Sequence, residues 1–459
     1  LLYNVSQKTC LGEFFFYSPK VFTNIDGYCK GWSISDIFLV SSNGAKTDRD
    51  SLFIEHDKSE LRERMEKFFS PNGLDKDFRD EFNINNSSSY NILSKREKST
   101  YAVENIVKLQ YRPLDYRFIY YNADIISRPG WAVIKHIHKQ NNLALLSSRM
   151  VYGSETWQDV LVTNQITEFG IMASRPGNSA PLFPLYLYPD AQELEELSKS
   201  KEVDAMNKFL NEAENEMQWE LSEKGRRPNL NPEFIAEMSA KLGLTFITEG
   251  QGNLNSPHND LGGDGAPASE GGQMEQVETN SAPASEGGEI IGTFGPEDVF
   301  HYAYAVFHSP TYRERYAEFL KIDFPRLPLT SDLALFRILC EKGAELVQWH
   351  LMTHPDIAKT EVKFPVEGSN EVIARHPRYD EENERVYINQ TQYFSHVPQA
   401  VWDFHIGGYQ VLHKWLKDRK GRELDYKDII HYQQVVKALQ STMALMEDID
   451  ETIPSFPIV

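Results

Sequence analysis

Three cysteines in 459 residues, Cys10, Cys29 and Cys340, leave neither a disulfide framework nor a cysteine-based zinc site, since both need several thiols at short spacing. A reducing cytoplasm is the natural compartment for such a chain. No run of about 18 apolar residues occurs, the length a helix needs to cross a bilayer, so no membrane partner is expected. The opening LLYNVSQKTCLGEFFFYSPK has no initiator methionine and no uninterrupted apolar signal core. It reads as the interior of a longer polypeptide. Also missing are G-x-x-x-x-G-K-[ST], a strand-borne G-x-G-x-x-G, G-x-S-x-G and H-E-x-x-H. Their absence removes the usual handles on nucleotide hydrolysis, dinucleotide binding, serine hydrolysis and zinc proteolysis.

What is present is an ordinary globular composition, 41% hydrophobic and 12% aromatic, in a length suited to about two to four domains. The formal charge of −20, from 47 basic and 67 acidic residues, is unevenly placed. Between Asp190 and Asp298 stand 23 acidic and 7 basic residues. Between Tyr101 and Ala180 the balance turns positive, and from Phe404 to Arg422 five bases (Lys414, Lys417, Arg419, Lys420, Arg422) meet one acid, Asp418. Screening confines surface charge to about 8–10 Å, so a polyanion senses the local sign rather than the total.

FFFYSPKVF, GWSISDIFLV and SLFIEH read as strands; KSELRERMEKFF reads as a helix burying Leu61, Met65, Phe68 and Phe69, with Ser59 as cap. IVKLQYRPLDYRFIYYN, WAVIKHIHK, NLALLSSR and FPLYLY predict a strand-rich region. An acidic helical stretch from Ala191 to Leu221 follows, then a low-complexity insertion from Asn253 to Glu289 that carries APASEGG twice. Pro296 starts one helix, and Ser309-Pro310 caps a second with the stripe Tyr312, Tyr316, Phe319 and Leu320. Pro325 and Pro328 force an extended exit, and RVYINQTQYF reads as a strand. VWDFHI, also a strand, leads to Gly407-Gly408 and a helix from Tyr409 to Asp418. A long helix capped by Asp425 ends the chain, and its stripe Ile429, Tyr432, Val436, Leu439, Met443 and Met446 suits either a coiled-coil seam or packing on its own domain.

Two metal-like patterns occur. His350 and His354 in HLMTH stand four apart, the spacing that puts two imidazoles on one helix face, against a reading as ordinary helix-end histidines. Asp356, Glu361 and Lys363 have the residue types of a Mg²⁺-dependent nuclease, with too few residues between them for the usual hairpin. The basic segments carry more. YRPLDYRFIYYNADIISRPGWAVIKHIHK interleaves Arg112, Arg117, Arg128, Lys135 and Lys139 with aromatic residues, and Arg149 follows. Such cations neutralise phosphates, and a guanidinium fork reads guanine. A half-buried sheet with solvated charges is the competing reading. In SRPGNSAP, Arg175 and Asn178 have donor patterns suited to guanine and adenine. Lys414 and Lys417 share a helix face, and with Lys420 and Arg422 they suit phosphates or simply complement a helix C-terminus.

The segments YRPLDYRFIYY, FPLYLYP, PEDVFHYAYAVFHSPTYRERYAEFLKIDFPRLPL, RVYINQTQYF, VWDFHIGGYQVLHKWLKDRKGR and the final HYQQVVKAL and MEDID occur in a familiar order. Together they resemble the C-terminal specificity region of single-polypeptide type I (type ISP) restriction–modification enzymes. NGAKTDRDSLFIE is similar to the loop and strand that close the adenine-N6 methyltransferase domain in such enzymes and the related type IIG group. The chain departs from whole enzymes of this kind: it has no N-P-P-[YF] or D-P-P-Y tetrad, no glycine-rich S-adenosylmethionine loop and no helicase motif.

The resemblance implies an α+β fold, a strand-rich target-recognition domain with helical insertions and a helical C-terminal element. Residues 1–55 would be the edge of a methyltransferase-like domain and 56–104 a helical linker. The β-rich part of the recognition domain would span 105–190, the acidic helical segment 191–252 and the insertion 253–290. Coupling helices and strands would fill 291–400, and the C-terminal element 401–459. The implied partners are double-stranded DNA and upstream methyltransferase and helicase–nuclease domains of the same polypeptide. S-adenosylmethionine, ATP and Mg²⁺ would serve that parent, with no cofactor in this chain. A Mg²⁺ nuclease on Asp356, Glu361 and Lys363, or a protein-interaction scaffold, are the alternatives. The DNA reading expects the separated basic segments to fold into one continuous gripping surface.

Overall fold

The structure, a computed structural model, describes residues 27–151, 156–172, 179–190, 219, 221–222, 224–254 and 292–458. FFFYSPKVF, nearly all of the acidic helical stretch and the insertion, and the loop bearing Arg175 and Asn178 lie outside the described residues.

β1 (Ile54–Glu55) leads into α1 (Lys58–Phe69), which buries Leu61, Met65 and Phe68. Asp57, not Ser59, caps this helix: its carboxylate accepts from the Ser59 and Glu60 amides. The cap acts from just outside the first turn, where Asp57 is extended. β2 (Ile106–Arg112) and β3 (Asp115–Tyr120), within the region expected to be strand-rich, form a hairpin, turning at Leu114 with φ of 56°. β4 (Ala144–Ser147), β5 (Val160–Thr163), β6 (Ile166–Thr167) and β7 (Leu182–Pro184) complete two mixed or antiparallel sheets. One has the order β1-β3-β2-β6, with β6 parallel to β2; the other, β5-β4-β7, is buried throughout.

The helical part rests on α2 (Pro296–His308), α3 (Leu333–His350), α4 (Val411–Lys417) and α5 (Tyr426–Thr452). α2 is buried on nearly every side and packs on α3 and α5. Gly343 allows the α2–α3 approach, because a Cβ there would stand 1.9 Å from the His301 carbonyl oxygen. α5 buries Tyr432, Val435, Val436, Leu439, Thr442, Leu445 and Ile449 against α3 and α2. Its apolar stripe is therefore used within the chain rather than as a seam for a second one. Asp425 caps it, accepting from the Asp428 amide at 2.7 Å.

Several predicted strands take other forms. GWSISDIFLV and SLFIEH each keep a two-residue strand and spend the rest on four-residue helices, Ile34–Ile37 and Asp50–Phe53. WAVIKHIHK forms the helix Trp131–Ile134 instead, and its buried residues Val133, Ile134 and Ile137 follow a helical rather than an alternating period. RVYINQTQYF folds into two strands, Arg385–Tyr387 and Tyr393–Phe394, paired antiparallel. VWDFHI supplies a short helix, Gln399–Trp402, before the strand His405–Ile406. The helix after Pro310 breaks at Arg315 and resumes at Ala317, with Tyr312, Tyr316, Phe319 and Leu320 all buried. The α+β class stands, built from small sheets around a helical core.

Candidate nucleic-acid interface

The basic run at the end of α4 divides by direction. α4 turns Val411, Leu412, Trp415 and Leu416 inward, each apolar burial being worth roughly 1.5–3 kcal/mol. Gly407, with φ of +59°, makes the turn before it; a Cβ there would meet the Met172 carbonyl oxygen at 2.4 Å. Arg419 follows the inward side and is 3% exposed. Its guanidinium lies over the Trp415 ring, 3.4 Å from the centroid, and bonds Asp115 at 2.8 Å and Asp428 at 3.4 Å. Lys414 pairs with Asp418 at 2.6 Å, and Arg422 stands 3.6 Å from both Glu55 and Asp428. Lys417 and Lys420 are exposed and form no ion pair with a described acid.

Asp115 is the node of this arrangement. It begins β3, is 1% exposed, and holds Arg117 at 3.0 Å besides Arg419. Burial alone would raise its pKa; Arg419, Arg117 and His56 outweigh burial and hold the carboxyl below its ordinary value. Arg117 reaches on to Asp418 at 3.2 Å and lies 3.7 Å from the centroid of the Tyr111 ring. Arg112 covers the same tyrosine at 3.9 Å and pairs with Glu168 at 2.6 Å. Alternating charges thus run from Glu168, through an arginine–tyrosine–arginine stack, to Asp115, Arg419, Asp428, Arg422 and Glu55. The chain ties the β2–β3 hairpin to the α4–α5 connection and to β1. His56 sits against it, and burial followed by Arg117 and Arg419 pushes its imidazole down to about 2.

Arg128 is exposed and bridges Lys46 by its backbone at 2.8 and 3.0 Å. Lys135 pairs with Asp190 at 3.3 Å, and the exposed Arg149 pairs with Asp323 at 3.1 Å. Lys139 is exposed, free of ion pairs among the described residues, and has φ of 60°. Lys417, Lys420, Arg128, Lys139 and Arg149 are exposed, whereas Arg112, Arg117, Lys414, Arg419 and Arg422 are held in ion pairs with described carboxylates. The partner acids were legible in part. Asp115 and Arg117 stand two apart in a strand and so share a face. The pairings of Arg117 with Asp418 and of Asp115 with Arg419, some 300 residues apart, have no local signal.

Neither metal-like pattern assembles. Tyr304 and Thr442 take the two ring nitrogens of His350, inside the α2–α3–α5 core. Burial, then Arg313, pushes that imidazole down to about 3. His354 stacks instead on Trp349 at 3.8 Å, because the helix ends and Met352 adopts φ of 60°. Asp356 pairs with Lys359 at 2.6 Å, and Lys363 is exposed at an isolated bridge to Ser395. Among the described residues no three His, Cys, Asp or Glu side chains are placed to share a metal ion.

A family model described as the Type ISP C-terminal specificity domain matches residues 36–448, spanning both sheets, the helical core and the α4–α5 connection. The chain belongs to that family. Solved structures agree with the fold of the specificity domain. The ATP-dependent Type ISP restriction-modification enzyme LlaBIII bound to DNA superposes with a TM-score of 0.58 at 15% identity, covering 94% of this chain and 24% of that one. A nuclease-deletion mutant of the Type ISP enzyme LlaGI, in complex with a DNA substrate mimic, gives 0.56 at 15% identity over 95% and 30%. A DrdV–DNA complex gives 0.56 at 16% identity over 90% and 36%. This specificity domain accordingly spans about a quarter to a third of the length of those chains. No curated protein matches it. No helix among the described residues is long and apolar enough to cross a membrane.

Proposed function

We propose that this chain recognises a duplex DNA sequence within a restriction–modification polypeptide and positions it for adenine-N6 methylation and cleavage by domains upstream. The observation that carries this reading is the family match across residues 36–448, which includes every described basic residue discussed above. Lys417, Lys420, Arg128, Lys139 and Arg149 anchor phosphates. Arg112, Arg117, Lys414 and Arg422 keep their internal carboxylates and fix the elements that carry them. Lys135 does the same with Asp190. Arg175 and Asn178 remain candidates for base contact. S-adenosylmethionine, ATP and Mg²⁺ belong to the parent's other domains, in a reducing cytoplasm.

Fluorescence anisotropy of labelled random duplex, titrated with the chain at several salt concentrations, tests the reading. Binding should weaken along a straight log–log line whose slope counts the phosphates neutralised, at about 0.9 per contact. Absence of binding at low salt, or an affinity indifferent to salt, overturns it. Plasmid left intact by the chain in Mg²⁺ separates this reading from a nuclease on Asp356.

A further inference from the structure

Where the two sheets meet, a groove of about 240 Å³ opens between the start of β2, residues 137–140 and the Asn164–Gln165 link from β5 to β6. Strands of different sheets hold the link at both sides. The Thr163 hydroxyl locks it further, accepting from the Gln165 amide at 3.0 Å and donating to the Gln165 carbonyl at 3.1 Å. Gln165 Nε2 donates to Asn164 Oδ1 at 3.0 Å. That bond leaves Asn164 Nδ2 as a donor and Gln165 Oε1 as an acceptor on the same turn. Adenine presents the complement in the major groove, with N7 accepting and the N6 amino group donating. Lys108 and Lys139 stand exposed at the same groove without ion pairs among the described residues.

Lys139 is held in the left-handed region, a conformation that a non-glycine residue keeps only where its surroundings impose it. The next residue back, His138, packs its ring 5.4 Å from Tyr121, which also carries the indole of Trp131 at 6.5 Å and an interplanar angle of 21°. Trp131 is 47% exposed, the most open of the tryptophans. The hydrogen-bonded amide pair and two cations without ion pairs among the described residues thus line one cleft with Val107, Ile137 and Ile166, and His138 at its edge packs against Tyr121.

We propose that this groove reads a base edge of the bound duplex, with Asn164 and Gln165 selecting adenine and Lys108 and Lys139 anchoring the adjoining phosphates. The inference rests on the DNA-recognition reading and adds which side chains set one position of the target. Duplexes are selected from a randomised pool by the unaltered chain and by an Asn164→Ala/Gln165→Ala variant. The unaltered chain should enrich adenine at one position. The variant should lose that preference by about tenfold or more in relative affinity, while its salt slope on random duplex stays the same. An adenine preference retained by the variant overturns the groove, as does selection without any adenine preference by the unaltered chain. If the unaltered chain binds no duplex at low salt, the DNA reading itself falls. Should the double variant lose its circular dichroism signature, the unaltered chain and Trp131→Phe are compared instead. Duplex should quench emission in the first and much less in the second; equal quenching overturns the proposal.

Discussion

At the scale of single residues, Asp115 shows how a carboxylate with almost no exposure organises a basic region. Its two arginines come from β3 and from the end of α4, so its charge is shared between elements some 300 positions apart. Because those guanidiniums hold its pKa below the ordinary value of 3.8, folding favours the ionised form. Its contribution is complete above about pH 4 and is lost as pH falls toward the lowered native value. Asp115→Asn leaves two buried guanidiniums short of a counter-charge and should cost roughly 3–5 kcal/mol at neutral pH. Urea midpoints measured from pH 2 to 7 should show a large neutral-pH loss that narrows in acid. A constant difference across that range would mean that charge pairing is not the cause. The basic residues were legible in the sequence; their internal partners were not, since ion pairing across such a separation exists only once the chain has folded.

Among elements, the long helices were the most legible. α1, α2 and α5 announce themselves by periodic burial and end signals, although Asp57 displaced Ser59 as a cap. Short apolar strings were not legible. WAVIKHIHK has enough β-branched residues for a strand, yet its contacts fold it into one helical turn, since four residues carry too little propensity to resist tertiary packing. HLMTH shows a second limit: a helix ending between its histidines separates them. The result is a polar seam that locks α2, α3 and α5 together. Tyr304 and His308 come from α2, His350 from α3 and Thr442 from α5. Burial holds His350 down to about 3 and His301, also on α2, down to about 4. The unfolded chain protonates these imidazoles near pH 6.5, so the helical core should lose stability as pH falls from 6.5 toward 4, by up to about 1.4 kcal/mol per pH unit for each histidine. His350→Gln should lower the thermal midpoint at pH 7.5 and flatten its decline over that window. An unchanged decline would show that His350 does not contribute to the acid limb.

For the whole molecule, a formal charge of −20 and the proposed role on DNA are reconciled by location. Much of the excess acid falls between Asp190 and Asp298, while the basic residues of the hairpin and of α4 belong to other parts of the chain. The run KDRKGR condenses the contrast into six residues. Arg419 is buried beneath Trp415 and bound to two carboxylates, whereas Lys417 and Lys420 are exposed and form no ion pair with a described acid. The same formal charge therefore has two separable roles, and substitution should part them. Arg419→Ala removes the counter-charge of Asp115 and the cover of Trp415, and should lower the thermal midpoint with a cost of roughly 3–5 kcal/mol. Lys417→Ala/Lys420→Ala should leave the midpoint within about a degree, because exposed side chains without partners contribute little to stability. On DNA the order reverses. The double lysine variant should lose affinity for all sequences alike, and its salt slope should fall by about 0.9 for each phosphate contact removed. Arg419→Ala, measured well below its midpoint, should keep the slope. If the lysine variant keeps the slope while Arg419→Ala lowers it, the exposed end of α4 is not a phosphate contact, and the duplex must be gripped elsewhere on the domain.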